Sequence, residues 1–143
     1  MPHLIANTIL IPEIAHLIKE GRDVTFTPGG VSMRPFIEGG KDCVLLTRPE
    51  HLRVGDIILA EVENDRYVLH RLIRLDGDAV TLMGDGNLYG EEHCMRQDVL
   101  AKVAAIHSPK GRRKPMTRGR IWLWLLPVRR YLLKVYRHTP RIL

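Results

Sequence analysis

The chain has 143 residues, 45% of them hydrophobic and 27% charged, which suits one globular domain with a real core and excludes a disordered or fibrous chain. Its net charge of +6 is unevenly spread: eleven of the 22 Lys and Arg residues lie from Lys110 onward, where there is no Asp or Glu, so the first 109 residues set 11 basic against 16 acidic groups, a net of −5. A body of that sign is a poor nucleic-acid surface, and two cysteines without ligand spacing, Cys43 and Cys94, exclude a disulfide framework and give no sign of a metal site.

Residues 1–22 read as a helical N-terminal extension. Ile11, Ile14, Ala15 and Ile18 recur at helical spacing, Pro12 suits a first helical turn and Gly21 a C-cap, so the helix is expected in the second half of residues 3–20. The segment has no basic start, and Pro12, Glu13 and His16 break its apolar run. It is therefore expected to be neither a signal peptide nor a membrane span.

From Asp23 the pattern changes to short β-rich runs separated by turn residues. Strands are predicted at residues 24–26, 43–47, 56–62, 66–75, 79–83 and 99–106, with Asp76-Gly77-Asp78 as a tight hairpin turn. His93-Cys94, between the last two strands, reads as loop. Many short strands at close spacing predict a compact, mainly β barrel or folded sheet over residues 23–109. Residues 110–143 follow as a basic linker, Lys110 to Pro115, and an amphipathic helical tail. In that tail Val128, Tyr131, Leu132 and Val135 share one face, Arg130, Lys134 and Arg137 lie on another, and both tryptophans, Trp122 and Trp124, precede them. Such a segment over residues 119–137 either covers the barrel or lies on an anionic membrane surface.

The stretch from Thr27 to Phe36 carries the first chemical signal. Ser32 follows Gly29-Gly30 and precedes Met33-Arg34-Pro35, so a stiff, exposed turn should present its hydroxyl. By itself a serine in such a turn is ordinary. Three further stretches follow in order: Arg53-Val54-Gly55-Asp56-Ile57, His70-Arg71 within residues 66–75, and Met83-Gly84-Asp85-Gly86-Asn87.

Together with Ser32-Met33-Arg34-Pro35, this series resembles the boxes of the signal peptidase family of serine peptidases, over roughly residues 25–107. With His70 at the third box it is similar to the endoplasmic-reticulum, archaeal and sporulation-type branch, which pairs serine with histidine. The resemblance implies the family's β fold, a serine endopeptidase needing no metal or organic cofactor, and a peptide or pre-protein substrate laid alongside a barrel strand with small side chains near the cut. It implies Ser32 as nucleophile, His70 as base and Asp85 as the acid supporting the histidine. The branch usually has a second acid a few residues on, and Glu91 stands in that neighbourhood. The Ser32 backbone N–H is the implied oxyanion donor. Gly30 occupies the position where many bacterial relatives add a hydroxyl, and Met33 is expected beside the substrate groove. Asp56 and Arg71 read as framework, one for turn geometry and the other for an ion pair.

The chain departs from the signal peptidases in showing no transmembrane helix before the serine. That departure leads to the expectation of a cytoplasmic or peripherally membrane-associated protein. A self-cleaving regulator related to the LexA-like proteins is a second reading, opposed by His70 where those proteins carry lysine. A non-catalytic peptide-binding module retaining the barrel is a third. The oligomeric state is not legible.

Overall fold

In the computed structural model, residues 7–30, 32–34, 36–63, 66–86 and 90–115 are described. The tail from residue 116, with its amphipathic segment and both tryptophans, lies outside them, as does the segment 1–6.

One helix, α1 (Asn7–Lys19), precedes the strands β1 (Val24–Phe26), β2 (Cys43–Thr47), β3 (Ile57–Glu63), β4 (Arg66–Asp76), β5 (Ala79–Met83), β6 (Glu92–Met95), β7 (Val99–His107) and β8 (Arg113–Lys114). All pairings are antiparallel, in the order β1-β2-β7-β3-β4-β5-β6, with β8 hydrogen-bonded to β7. The fold is mainly β, one curled antiparallel sheet with a helix packed on it. Among the described residues no helix is long and apolar enough to cross a membrane.

The helix forms because its apolar residues repeat on one face. Ile11, Ile14 and Ile18 are buried together against β2, β3 and β7, each contributing about 1.5–3 kcal/mol of apolar burial. It begins at Asn7, a full turn earlier than expected, so Pro12 lies inside the helix and not in its first turn. The C-terminus is closed as the sequence predicts: Gly21, at φ +90°, donates to the Ile18 carbonyl and Arg22 donates to that of Leu17. The Arg48 guanidinium also donates to the Ile18 carbonyl and caps one more, that of Lys19.

β3 carries a continuous buried run because both of its faces are covered. Ile57 and Leu59 join the core under α1, whereas Ile58 and Ala60 join a second cluster with Leu72, Val80, Leu82 and Val99. His70 pairs across from Ile58 and therefore lies on the second face; Arg71 pairs across from Ile57 and lies on the first. The hairpin from β4 to β5 turns at Gly77 (φ +59°), as the Asp76-Gly77-Asp78 sequence predicts.

Two short strands were not legible. His93-Cys94, read as loop, lies in β6 and pairs with Thr81 and Val80. The stretch read as a basic linker contains β8, which returns through a turn at Ser108–Gly111 and pairs Lys114 with Ile106. Lys114 Nζ then meets the buried Asp42 carboxylate at 2.7 Å, tying this hairpin to the loop before β2.

Candidate active site

Ser32 lies in a turn between β1 and β2, held from three directions. Its carbonyl accepts from the Gly86 N–H at 2.7 Å, and the neighbouring Met33 sulfur accepts from the Asp85 N–H at 3.5 Å. Behind it, the Phe36 and Ile37 amides both bond the Met33 carbonyl, while Gly40 N–H bonds that of Pro28 at 2.6 Å. Gly39 packs directly on the Gly29-Gly30 backbone, where an added Cβ would stand 1.8 Å from the Gly30 carbonyl oxygen. Glycine is required there by close approach of two backbones.

The fold brings His70 to this serine across 38 positions of sequence, with Nε2 3.0 Å from Ser32 Oγ. On the other side of the ring, Nδ1 is 2.5 Å from Glu92 Oε1. Glu92 is an acceptor, so Nδ1 carries the proton, and Nε2 is left to accept from the serine hydroxyl. The His70 side chain is 8% exposed and that of Glu92 is 15% exposed, so both bonds form largely out of water. Burial lowers the His70 pKa from its ordinary 6.5, and the Glu92 carboxylate, by charge and by hydrogen bond, partly opposes that shift. The ring is thus neutral and basic at neutral pH. The second Glu92 oxygen faces the Arg66 guanidinium at 3.8 Å.

Asp85 does not take the place expected of it. It is fully buried and forks onto Arg71, with Nε at 2.8 Å from Oδ1 and Nη2 at 2.6 Å from Oδ2. The same guanidinium donates to the Gly55 carbonyl at 2.6 Å and lies 5.1 Å from the centre of the Phe36 ring. Gly55, Leu72 and Asp56 exchange backbone bonds beside it, and Asp56 caps Arg53 N–H. The four sequence boxes therefore meet in space around Arg71. Asp85 belongs to the frame that fixes the Ser32 turn, and its charge only adds a smaller upward influence on His70.

Glu91 likewise does not meet His70: its carboxylate is 40% exposed and stands 3.9 Å from His93. The carboxylate that bonds the His70 ring belongs to the residue one position on, Glu92. Leu72, Leu82 and Glu92 form one lateral row across β4, β5 and β6, on the face that also carries His70. A signal was available in the alternation of Glu92 and Cys94, half-buried, with His93 and Met95, exposed. Reading His93-Cys94 as loop concealed it.

The pair opens into a cleft of about 680 Å³, bounded by Phe26 to Gly30 on one side and Arg66 to His70 on the other. Met33 lines it while remaining 4% exposed, and Gly30, at φ +80°, lines it without a side chain. Both strands offer backbone edges to this space. β5 pairs with β4 only from Arg71 onward, and β1 pairs with β2 alone among the described strands. Among the described residues no cluster of His, Cys, Asp and Glu is arranged to hold a metal ion. No protein-family model matches the chain, and no curated protein matches it at a significant level.

Proposed function

We propose that this protein is a serine endopeptidase that cuts an extended leader- or signal-type segment of a peptide or pre-protein through an acyl-enzyme. The observation that carries the reading is the hydrogen-bonded series Ser32–His70–Glu92 at the wall of a cleft flanked by two strand edges. The ordered resemblance of the four boxes to the signal peptidases supports the same reading.

A serine hydroxyl is a weak nucleophile at neutral pH and needs a base within hydrogen-bond reach. His70 Nε2 takes the Ser32 proton as Oγ bonds the substrate carbonyl carbon, and the carbonyl oxygen takes up the negative charge. The imidazolium so formed is stabilised by Glu92 across Nδ1–H. The Ser32 backbone N–H, which meets no acceptor among the described residues, is the donor we assign to the oxyanion. As the tetrahedral species collapses, the C–N bond breaks and His70 protonates the leaving amine. Water then attacks the ester with His70 again as base, releasing the carboxylate and restoring the serine. Extended peptide backbone alongside β1 or β4 supplies the orientation. These steps involve only side chains, the Ser32 backbone N–H and water. We place the activity in the cytoplasm or at a membrane surface, with the basic tail as the docking element.

The test compares wild type, Ser32→Ala and His70→Ala on a peptide library, with products read by mass spectrometry and Ser32 probed by a fluorophosphonate. Cleavage and labelling by wild type, abolished by both substitutions, are expected. Cleavage that persists in Ser32→Ala removes the mechanism. Absence of cleavage and labelling in every form leaves a peptide-binding module.

A further inference from the structure

The cleft does not end at the catalytic pair. It extends to α1, where Leu10 and Ile11 complete its lining together with Phe26, Ile37, Leu59 and Leu69. Among the described residues, the groups on the lining that can carry positive charge are Arg66 and His70, Tyr67 adds a phenol, and no carboxylate lines it. Of the two helix residues, Ile11 is 2% exposed and belongs to the core, whereas Leu10 is only partly buried and faces the space. α1 packs on both β1 and β4, the strands whose edges flank the cleft, so it stands across one end of the gap between them.

We infer that the α1 end of the cleft is a subsite for a bulky apolar side chain of the substrate, with Leu10 as the residue that sets its size. This rests on the peptidase reading and names its substrate class: an extended segment with a leucine- or phenylalanine-sized residue at the position that meets α1, beyond the small residues expected at the cut itself. The volume of about 680 Å³ lies within the ordinary range of ligand sites, roughly 300–1,000 Å³, and holds several residues of an extended chain. An alternating strand sends every second side chain inward. One that points toward α1 exchanges water for the partly buried Leu10, Phe26 and Leu69. A small side chain leaves that apolar surface uncovered. Discrimination between alanine and leucine at this position is expected at about 10-fold or more in kcat/KM.

The experiment uses one cleaved peptide from the library, varied at each position in turn among Ala, Leu and Phe. It is run with wild type, Leu10→Ala and Leu10→Phe. One position is expected to prefer Leu over Ala in wild type. Leu10→Ala should move that preference toward Phe, and Leu10→Phe should move it toward Ala. The opposite directions separate a change of subsite from loss of fold, which would lower every peptide alike. Binding of the same peptides to the Ser32→Ala protein by calorimetry gives a second readout. Cleavage with no position dependent on side-chain size overturns the inference and leaves the peptidase reading intact. So does a preference that neither Leu10 substitution moves. Wild type that neither cleaves nor reacts with the fluorophosphonate, and binds none of the peptides, removes both.

Discussion

Glu92→Gln separates the acid that touches His70 from the acid that the sequence pointed to. The substitution keeps the shape of the side chain and removes its charge. In the wild type, Glu92 Oε1 lies 2.5 Å from His70 Nδ1. When His70 becomes an imidazolium, two unit charges stand with centres about 4 Å apart, worth roughly 4 kcal/mol at an effective dielectric of about 20. With each ~1.4 kcal/mol a factor of ten in rate, kcat should fall by roughly 10²–10³-fold. A glutamine amide that donates to Nδ1 would add to this by turning the protonated nitrogen toward the serine.

The pH profile carries its own sign. Burial already lowers the His70 pKa from 6.5, so on the proposed mechanism the wild-type rate should be full above that value and fall as pH descends through the lowered pKa. Glu92 opposes the lowering, so its removal moves the acidic limb to still lower pH. The same linkage makes stability full above 6.5 and progressively lost below it, because the unfolded histidine binds its proton first. The companion substitution, Asp85→Asn, strips the charge partner from an arginine that is 1% exposed, and should cost about 3–5 kcal/mol in denaturant unfolding. Glu92→Gln should move the unfolding midpoint little. The assay is kcat and kcat/KM across pH for both variants, beside their urea curves. A Glu92→Gln enzyme within about threefold of wild type, with Asp85→Asn stable but inactive, would return the catalytic acid to Asp85 and refute the geometry.

Three other outcomes follow from the frame around the site. Gly39→Ala forces a Cβ to 1.8 Å from the Gly30 carbonyl oxygen, so it should destabilise by about 1–3 kcal/mol and suppress fluorophosphonate labelling of Ser32 even in folded protein. Thermal unfolding and labelling measured together check this. Lys114→Ala leaves the buried Asp42 carboxylate with the Glu38 N–H as a remaining donor; it should cost about 1–2 kcal/mol, less than a wholly buried pair, in urea unfolding. Cys94 should resist alkylation. Burial, with a smaller contribution from Asp98, pushes its thiol up to about 11. At pH 8 its modification in the folded protein should be about 100-fold slower than that of an unfolded control, read by mass spectrometry.

Much of this molecule is local enough to be written in the chain. The strands at Val24–Phe26, Cys43–Thr47 and Ala79–Met83 fall where alternation and turn residues put them, and Gly21 and Gly77 take the positive φ that their turns demand. The contact of Ser32 with His70, at 3.0 Å, is what the order of the boxes led one to expect. Arg71 was correctly read as an ion-pair residue, although its partner was not named. The partner of a buried charge is chosen by folding. Arg71 and His70 are adjacent in β4, so their side chains leave opposite faces of the sheet and find different acids, Asp85 for one and Glu92 for the other. Spacing alone could not assign them, because a one-residue step in a strand reverses the face, which also separates Glu92 from Glu91. The lateral row Leu72–Leu82–Glu92 exists only once three strands are paired. The same holds for the cleft, whose end wall comes from a helix that the sequence marks as an extension and that packs beneath the site. Period and turn chemistry act over a few residues and survive in the sequence. Pairing of strands and docking of a helix act across the chain, and these decided which carboxylate meets the histidine.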